Sequence, residues 1–305
     1  MRSTSRGRAK HRIRRVGVII KRQPQRATPI LKEMLAWLKR RGIESVMDHQ
    51  TASFCGERTG VDREAIADRA DLIVVIGGDG TLLSAARAIG ARATPVLGVN
   101  MGRLGFLTDV PIRKLYEALE EILAGRHTVR ERMRIEAEIV RNGRVIARHQ
   151  VLNDVVLNKS ALARILDIAV EVDGHFMTIF KADGLIVSTP TGSTAYSLSA
   201  GGPIVDPAMD ALILCPICPH TLTNRPVVIP GDSDVMVGLV DNLGEVYITI
   251  DGQVGTPFLP ECRIRVRRSR HPLRIVQFPD QNYFEVLRQK LKWGGRLAPS
   301  RGARL

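Results

Sequence analysis

A carboxylate inside a glycine-rich turn is the residue of this sequence best placed to do chemistry. Asp79 lies in the run Gly77-Gly78-Asp79-Gly80-Thr81, directly after an apolar segment and directly before a helical pattern. The glycines permit a tight turn and let backbone N–H groups approach a ligand, and a helix start favours an anion such as phosphate. The carboxylate opposes simple phosphate binding by repulsion. The pattern therefore indicates a proton acceptor or a metal ligand, with a plain helix cap as the structural alternative.

A polar pair interrupts a second apolar segment. Asn153 and Asp154 follow Leu152 and precede an apolar run that begins at Val155. Burying an amide and a carboxylate costs several kcal/mol unless both find partners. The pair is read either as an Asx turn at the end of a strand or as two acceptors for the hydroxyls of a diol.

The most informative stretch runs from Lys181 to Pro203 and is dense in Ser, Thr and Gly. Small residues let a flat ligand approach the backbone, and hydroxyls supply adaptable hydrogen bonds. The stretch matches neither the P-loop nor the dinucleotide fingerprint. Tyr196 and Leu198 punctuate it, which argues against a low-complexity loop. The later run Asp251-Gly252-Gln253 follows a strand pattern and by itself indicates a turn.

Alternating strand and helix patterns must position the glycine-rich turn. Strands are predicted at 16–20, 43–47, 73–76 and 95–99, and helices at 27–41, 61–70, 81–90 and 112–124. This alternation predicts a doubly wound, Rossmann-like α/β domain over residues 16–125.

The pattern changes to short strands after Gly125. Asn142-Gly143 and Asp173-Gly174 are hairpin signals, and residues 242–244 mark a third turn. These signals predict an all-β, sandwich-like domain over residues 126–278. Residues 279–305 are expected to return to the first domain, with Phe284 and Leu287 packing against it.

The net charge of +14 is concentrated at the two ends of the chain. Of the 45 Lys and Arg residues, seven lie in residues 1–15 and six in residues 286–305, and neither segment contains Asp or Glu. The remaining chain has 32 basic and 31 acidic residues. We therefore expect residues 1–15 to be a disordered basic tail, and we expect no specific nucleic-acid partner.

The apolar segments and the cysteine residues bear on the cellular compartment and on metal binding. No segment is predicted to cross a membrane, and no signal peptide is recognised after Met1. Four cysteines are too few for a disulfide framework, so a cytoplasmic protein is expected. The pair Cys215 and Cys218 lacks the second pair that a zinc site needs, and a buried structural Cys is the better reading.

Taken together, these motifs resemble NAD kinases of the bacterial type. The resemblance spans about 70–280 and is carried by four segments in one order: 77–80, 153–154, 183–203 and Pro219-His220-Thr221-Leu222. It implies an α/β domain and a β-sandwich-like domain with the active site in the cleft between them. It implies transfer of the γ-phosphoryl group of ATP to the adenosine ribose 2′-hydroxyl of NAD. Mg²⁺ held mainly by the ATP phosphates, polyphosphate as a second donor in some relatives, and a homodimer or homotetramer are also implied.

The resemblance assigns roles residue by residue. Asp79 becomes the general base, and the phosphate-binding turn consists of Gly77, Gly78, Gly80 and Thr81. The family usually has Asn-Glu at the polar pair, so Asp154 keeps the charge with a shorter reach. The residues implied to contact NAD are Asp79, Gly80, Asn153, Asp154, Arg164, Lys181, Asp183, Thr194, Ala195, Tyr196, Ser197, Leu198, Ser199 and Gln253, the last from a neighbouring subunit in one arrangement.

Two other readings stay open from the sequence. Diacylglycerol and sphingosine kinases share the Gly-Gly-Asp-Gly turn, and phosphofructokinases share it loosely. The hydroxyl-rich run favours a polar substrate over an acyl chain. The second reading is a non-catalytic nucleotide- or RNA-binding protein that uses its basic tails.

Overall fold

The chain forms two units. The computed structural model describes residues 13–21, 24–160, 164–241, 244–259, 261–279 and 281–293. Unit 1 comprises the described residues up to Arg130 and from Arg274 onwards, and unit 2 comprises those of Glu131–Leu273. Most of the expected basic tail, residues 1–12, lies outside the described residues, as do 294–305 and two residues of the predicted 242–244 turn. Arg15, which the sequence placed in the tail, begins the first strand.

Strands and helices are numbered along the chain. The sheet of unit 1 contains β1 (Arg15–Ile20), β2 (Glu44–Met47), β3 (Leu72–Gly77), β4 (Val96–Asn100), β5 (Val110–Pro111), β6 (Thr128–Arg132) and β19 (Leu273–Gln277). The helices of unit 1 are α1 (Pro24–Arg40), α2 (His49–Cys55), α3 (Ile66–Arg69), α4 (Asp79–Ile89), α5 (Leu115–Leu123) and α7 (Tyr283–Leu291), with 3₁₀ turns at Arg63–Ala65 and Ile112–Lys114.

The sheet of unit 1 has the order β2-β1-β3-β4-β19-β6, with β5 beside β4. β1 pairs in parallel with β2 and β3, and β4 pairs in parallel with β3, β5 and β19. Every residue of β3 is buried, as its apolar run predicts for a central parallel strand. Helix α1 covers the sheet with the buried side chains Leu31, Met34 and Leu38. This is the α/β architecture that the alternating pattern predicts.

Unit 2 is built almost entirely from antiparallel strands. They are β7 (Ile135–Arg141), β8 (Arg144–Val151), β9 (Asp154–Lys159), β10 (Leu166–Val172), β11 (His175–Ala182), β12 (Gly184–Ser188), β13 (Ala211–Ile217), β14 (Val227–Pro230), β15 (Val235–Leu239), β16 (Val246–Ile250), β17 (Val254–Pro257) and β18 (Cys262–Arg268), with a 3₁₀ turn at Gly192–Thr194 and the short helix α6 (Tyr196–Ser199).

The strands of unit 2 form two six-stranded sheets, within the residues described. Their orders are β11-β10-β15-β18-β7-β8 and β14-β13-β12-β9-β16-β17. One apolar cluster takes side chains from both sheets, including Ile168 and Val266 from the first and Leu157 and Leu214 from the second. The result is the sandwich-like domain that the hairpin signals predict. Positive φ angles at Asn142 and Gly143 turn β7 into β8.

Three features of unit 1 differ from expectation. β19, which the sequence placed in the β domain, pairs with β4 through Ile275 and Val96, so unit 2 ends before residue 278. α2 has no counterpart in the predicted elements. In α7, Leu287 is buried as expected, but Phe284 is 58% exposed. None of the helices that the structure describes is long and apolar enough to span a membrane.

Candidate active site

The glycine-rich turn lies where β3 meets α4, as the sequence predicts. Gly78 is the N-cap residue, and Asp79, Gly80 and Thr81 form the first helical turn. A Cβ on Gly77 would lie 2.3 Å from Thr81 Oγ1, so only glycine fits there. A Cβ on Gly78 would meet nothing within 4 Å, which leaves its backbone open to a ligand. The turn therefore has the geometry of an anion site at a helix start.

The carboxylate of Asp79 is held by a loop that follows β4. Its Oδ1 accepts hydrogen bonds from the backbone N–H groups of Leu107 and Thr108 and from the Thr108 hydroxyl, each at 3.0 Å. Its Oδ2 accepts one from the Phe106 N–H at 2.8 Å. Four donors fix the orientation of the side chain. Asp79 is therefore more than a helix cap.

The conformation of this loop requires a glycine at position 105 and the side-chain amide of Asn100. A Cβ on Gly105 would lie 2.0 Å from Asp79 Oδ1 and 2.3 Å from Thr108 Oγ1. The Gly105 N–H and the buried Asn100 side-chain amide both donate to the Thr108 carbonyl, at 3.1 and 3.0 Å. The loop thereby closes on itself and presents its N–H groups to Asp79. The sequence motifs gave no link between residues 100–109 and Asp79.

Strand order brings together several of the predicted NAD contacts in unit 2. β9 runs antiparallel to both neighbours, β12 and β16, so its first residue lies beside their last residues. In register, Asp154 pairs with Ser188, and Val155 pairs with Ile250. The polar pair, the hydroxyl-rich run and the turn that contains Gln253 therefore meet at one end of the sheet. Gln253 itself is exposed.

Asp251 holds the polar pair in place. Its Oδ1 accepts from the backbone N–H groups of Leu152, Asn153 and Asp154 at 3.1, 2.7 and 3.4 Å. The Asp251 N–H donates to the Asp154 carbonyl at 2.9 Å. The sequence read Asp251 as a turn residue. The structure adds that its carboxylate, which is 5% exposed, is the anchor of residues 152–154.

The Asp154 carboxyl is unusual for its burial. The residue is 3% exposed, and burial raises the pKa of Asp154 to about 7, with the negative charge of Asp251 adding to the rise. The guanidinium of Arg134 is buried nearby. Burial lowers the pKa of Arg134 to about 10, and the charge of Asp251 opposes that fall. Two acidic groups and one basic group thus share a low-dielectric region.

Most hydroxyls in the run that follows β12 stabilise the run itself. Thr189 Oγ1 donates to the Leu152 carbonyl at 2.6 Å, Ser193 Oγ to the Pro190 carbonyl at 2.7 Å, and Thr194 Oγ1 to the Thr191 carbonyl at 3.3 Å. Thr189 and Ser193, which were not among the predicted contacts, are fully buried, and their hydroxyls are engaged by backbone carbonyls.

Three buried side-chain oxygens in this region find no hydrogen-bond partner among the described residues: Asn153 Oδ1, Thr191 Oγ1 and Ser197 Oγ. Buried polar atoms are normally satisfied, so these three are candidate contacts for a polar ligand. Thr191 was not among the predicted contacts. Among the predicted contacts in this run, Ser197 is buried, and Ala195 and Leu198 are half-buried. Tyr196 and Ser199, the first and last residues of α6, are exposed.

Three predicted contacts lie toward the opposite end of β12: Asp183 directly precedes that strand, and Lys181 and Arg164 lie on β11 and before β10 in the other sheet. Asp183 precedes β12 and its carbonyl accepts from the Lys159 N–H at 3.0 Å. The Lys181 ammonium lies 3.7 Å from Asp167, and Arg164 is exposed just before β10. Asp183 and Thr189 flank β12, and the six residue steps between them, at roughly 3.3 Å each, place them about 20 Å apart. Within this chain, these three residues do not join the group around Asn153.

The described residues do not form a metal centre of their own. They contain no group of three or more His, Cys, Asp or Glu side chains able to hold a metal ion. All four cysteines are free, with Cys215 and Cys262 buried and Cys218 exposed.

Comparison with known proteins decides the family. Residues 16–127 match the ATP-NAD kinase N-terminal domain, and residues 152–278 match the ATP-NAD kinase C-terminal domain. The chain belongs to the NAD kinase family. An NAD kinase from Geobacter sulfurreducens is 50% identical over 284 residues, covering 93% of this chain and 100% of the relative. An NAD kinase from Geotalea daltonii is 48% identical over the same length, again at 93% and 100% coverage.

Solved structures agree with this NAD kinase assignment. An NAD kinase from Archaeoglobus fulgidus in complex with ATP has a TM-score of 0.72 and 27% identity, covering 92% of this chain and 100% of that one. Yeast NADH kinase complexed with NADH has a TM-score of 0.86 at 23% identity, covering 98% and 95%, and supports the fold. Both NAD kinase domains of this chain contain candidate residues: Asp79 lies in the N-terminal matched region, and Asn153 lies in the C-terminal one.

Proposed function

We propose that this protein transfers the γ-phosphoryl group of ATP to the adenosine ribose 2′-hydroxyl of NAD, giving NADP. The observation that supports this best is the Asp79 carboxylate, fixed by four hydrogen bonds at the start of α4 beside an open glycine backbone. Phosphoryl transfer depends mainly on positioning and on charge stabilisation. The turn Gly77, Gly78, Gly80 and Thr81 would bind phosphate, and Asp79 would accept the hydroxyl proton.

We assign recognition of NAD to the residues grouped at one end of the sheet in unit 2. Asn153 and Asp154 would bind the adenosine portion, with Thr191 as an additional contact. The unpartnered atoms Asn153 Oδ1 and Thr191 Oγ1 can both accept hydrogen bonds from ribose hydroxyls or an exocyclic amine. Gly80, Thr194 to Ser199 and Gln253 would contribute further surface. Arg164, Lys181 and Asp183 would reach NAD from a second copy, because they lie at the opposite end in this chain.

We propose that Mg²⁺ enters with ATP and is held mainly by its phosphates. When bound there, the ion would neutralise charge that develops on the transferring phosphoryl group. The protein would act in the cytoplasm as a homodimer or homotetramer, without specific nucleic-acid or membrane partners. ATP is the proposed donor, and polyphosphate is a second donor to test.

The decisive experiment incubates the protein with NAD, ATP and Mg²⁺ and reads NADP with an NADP-specific dehydrogenase. We expect NADP with ATP, no product after chelation with EDTA, and recovery on adding Mg²⁺. Diacylglycerol and sphingosine with radiolabelled ATP test the lipid-kinase alternative. The absence of NADP with every donor would overturn the proposal.

The role of Asp79 has its own test. Asp79→Asn keeps the shape of the side chain but removes the base, so NAD should bind with an unchanged Kd while kcat falls by about 10²-fold or more. The control is Asp62→Asn, since the Asp62 side chain is 83% exposed in the same unit. Near-normal turnover by the Asp79 variant would remove Asp79 from the role of base.

A further inference from the structure

The two oxygens of the Asp79 carboxylate have different surroundings. Oδ1 takes three donors, from Leu107 N, Thr108 N and Thr108 Oγ1, whereas Oδ2 takes one, from Phe106 N. A carboxylate oxygen offers about two lone-pair directions to donors. Oδ1 is therefore saturated, and Oδ2 keeps an acceptor site for a further hydrogen bond.

Thr108 contributes more to this asymmetry than any other described residue. It donates to Oδ1 with both its backbone N–H and its hydroxyl. Its side chain is fully buried, so solvent does not compete for the hydroxyl. Its carbonyl accepts from Gly105 N and Asn100 Nδ2, which fixes the residue from the other side. The Thr108 carbonyl is therefore hydrogen-bonded to Asn100, the last residue of β4, and to Gly105 of the loop. Its N–H and hydroxyl are hydrogen-bonded to Asp79.

We propose that Thr108 is a positioning residue that fixes Asp79 so that Oδ2 is the atom which accepts the proton of the ribose 2′-hydroxyl. The inference rests on the proposed role of Asp79 as base. In the step, the 2′-oxygen forms a bond to the γ-phosphorus, and the bond from that phosphorus to the β,γ-bridging oxygen breaks. ADP leaves with the electron pair of the broken bond. The hydroxyl proton passes to Asp79 Oδ2 and then to solvent.

A positioning role of the Thr108 hydroxyl and a role in stability alone predict different kinetic effects when the hydroxyl is removed. Without the Thr108 hydroxyl, the Asp79 carboxylate loses one of the four donors that fix its rotation, so its remaining acceptor site no longer keeps one direction toward the nucleophile. Loss of the Thr108 hydroxyl should therefore slow the chemical step and leave substrate binding intact. A structural defect would instead lower stability or change the KM values along with kcat.

The test compares Thr108→Val with Thr108→Ser. Valine keeps the volume and the backbone N–H but lacks the hydroxyl, and we expect kcat to fall about tenfold with both KM values within about twofold. Serine restores the hydroxyl, and we expect kcat within about twofold of the unmodified protein. The matched control is Thr94→Val, which removes a hydroxyl that donates to the Ala67 carbonyl at 2.8 Å, in the same unit. It should leave kcat unchanged. If the valine variant does not fold, Thr108→Ala replaces it.

A double variant separates this inference from the proposed function. If Asp79→Asn has lost turnover, adding Thr108→Val should cause little further loss, because both act through the same carboxylate. A Thr108→Val variant with normal kcat, or a serine variant as slow as valine, would overturn the positioning role while the base role stands. Normal turnover by Asp79→Asn would overturn the base role and this inference with it.

Discussion

Asp251 Oδ1 lies 2.7 Å from the backbone nitrogen of Asn153, although 98 residues separate the two in the sequence. The same carboxylate also accepts from Leu152 N. A single side chain from the turn after β16 thus fixes the backbone that precedes β9. The position of the Asn153 side chain therefore depends on a residue that reads, in sequence, as a simple turn.

We expect Asp251→Asn to lower stability and to weaken NAD binding. Asn tolerates the positive φ of 50° at this position, so the change tests the carboxylate and not the turn. Loss of charge-assisted bonds to three N–H groups should cost about 2 kcal/mol of unfolding free energy and raise KM for NAD. Chemical denaturation and steady-state kinetics measure the two effects. Asp173→Asn is the control, because Asp173 has a φ of 53° in an exposed hairpin turn. Equal effects of the two changes would contradict the anchoring role.

The stability of the protein should depend on the ionisation of Asp154. Its pKa is raised to about 7 in the folded protein, so the folded state holds a proton that the unfolded chain releases near pH 4. That contribution is complete below the unfolded pKa and is lost as pH rises through about 7. Asp154→Asn should therefore stabilise the protein relative to the unmodified chain by more at pH 8.5 than at pH 4.5. The difference is at most about 4 kcal/mol. Denaturation at the two pH values measures it, and an equal difference at both would contradict the expectation.

Local signals allowed much of the fold to be predicted. β3, its turn and α4 follow from an apolar run, three glycines and a helical pattern within seventeen residues of each other. The hairpins at Asn142 and Asp173 follow from dipeptides that accept positive φ angles, and both angles are observed. In each case, the residues that decide the structure are neighbours in sequence.

Long-range contacts account for what the sequence left open. Asp79 is held by residues 27 to 29 positions away, and only the packing of Gly105 against its carboxylate shows why that loop is needed. β19 has the alternation of any half-buried strand, so its sheet is decided by pairing with β4. The placement of Asp183 and Thr189 at the two ends of β12 likewise follows from strand pairing and not from a motif.

Gly105 and Gly102 lie in the same loop and should respond differently to substitution by alanine. A Cβ at Gly105 overlaps Asp79 Oδ1 at 2.0 Å, whereas a Cβ at Gly102 meets nothing within 4 Å. Gly105→Ala should therefore displace the carboxylate and lower kcat by at least about tenfold, and Gly102→Ala should leave kcat within about twofold. Steady-state assays with circular dichroism as a folding check measure the effect. Full activity in Gly105→Ala would show that the loop accommodates the added methyl group without displacing the Asp79 carboxylate.

Arg63 connects α4 to the buried carboxylate of Asp48, and we expect this link to stabilise unit 1. Arg63 Nε and Nη2 each lie 2.5 Å from Asp48 Oδ2, and Nη1 donates to Ser84 Oγ at 3.0 Å. Lysine cannot reproduce this forked geometry, so Arg63→Lys leaves the Asp48 carboxylate, 4% exposed, poorly paired at a cost of about 2–3 kcal/mol. Arg92→Lys is the control. Arg92 also pairs with a carboxylate through two nitrogens, but both side chains, Arg92 and Asp68, are exposed to solvent, so the change should cost clearly less than Arg63→Lys. Urea denaturation of both variants compares them directly, and equal costs would show that burial of Asp48 contributes nothing to this pair.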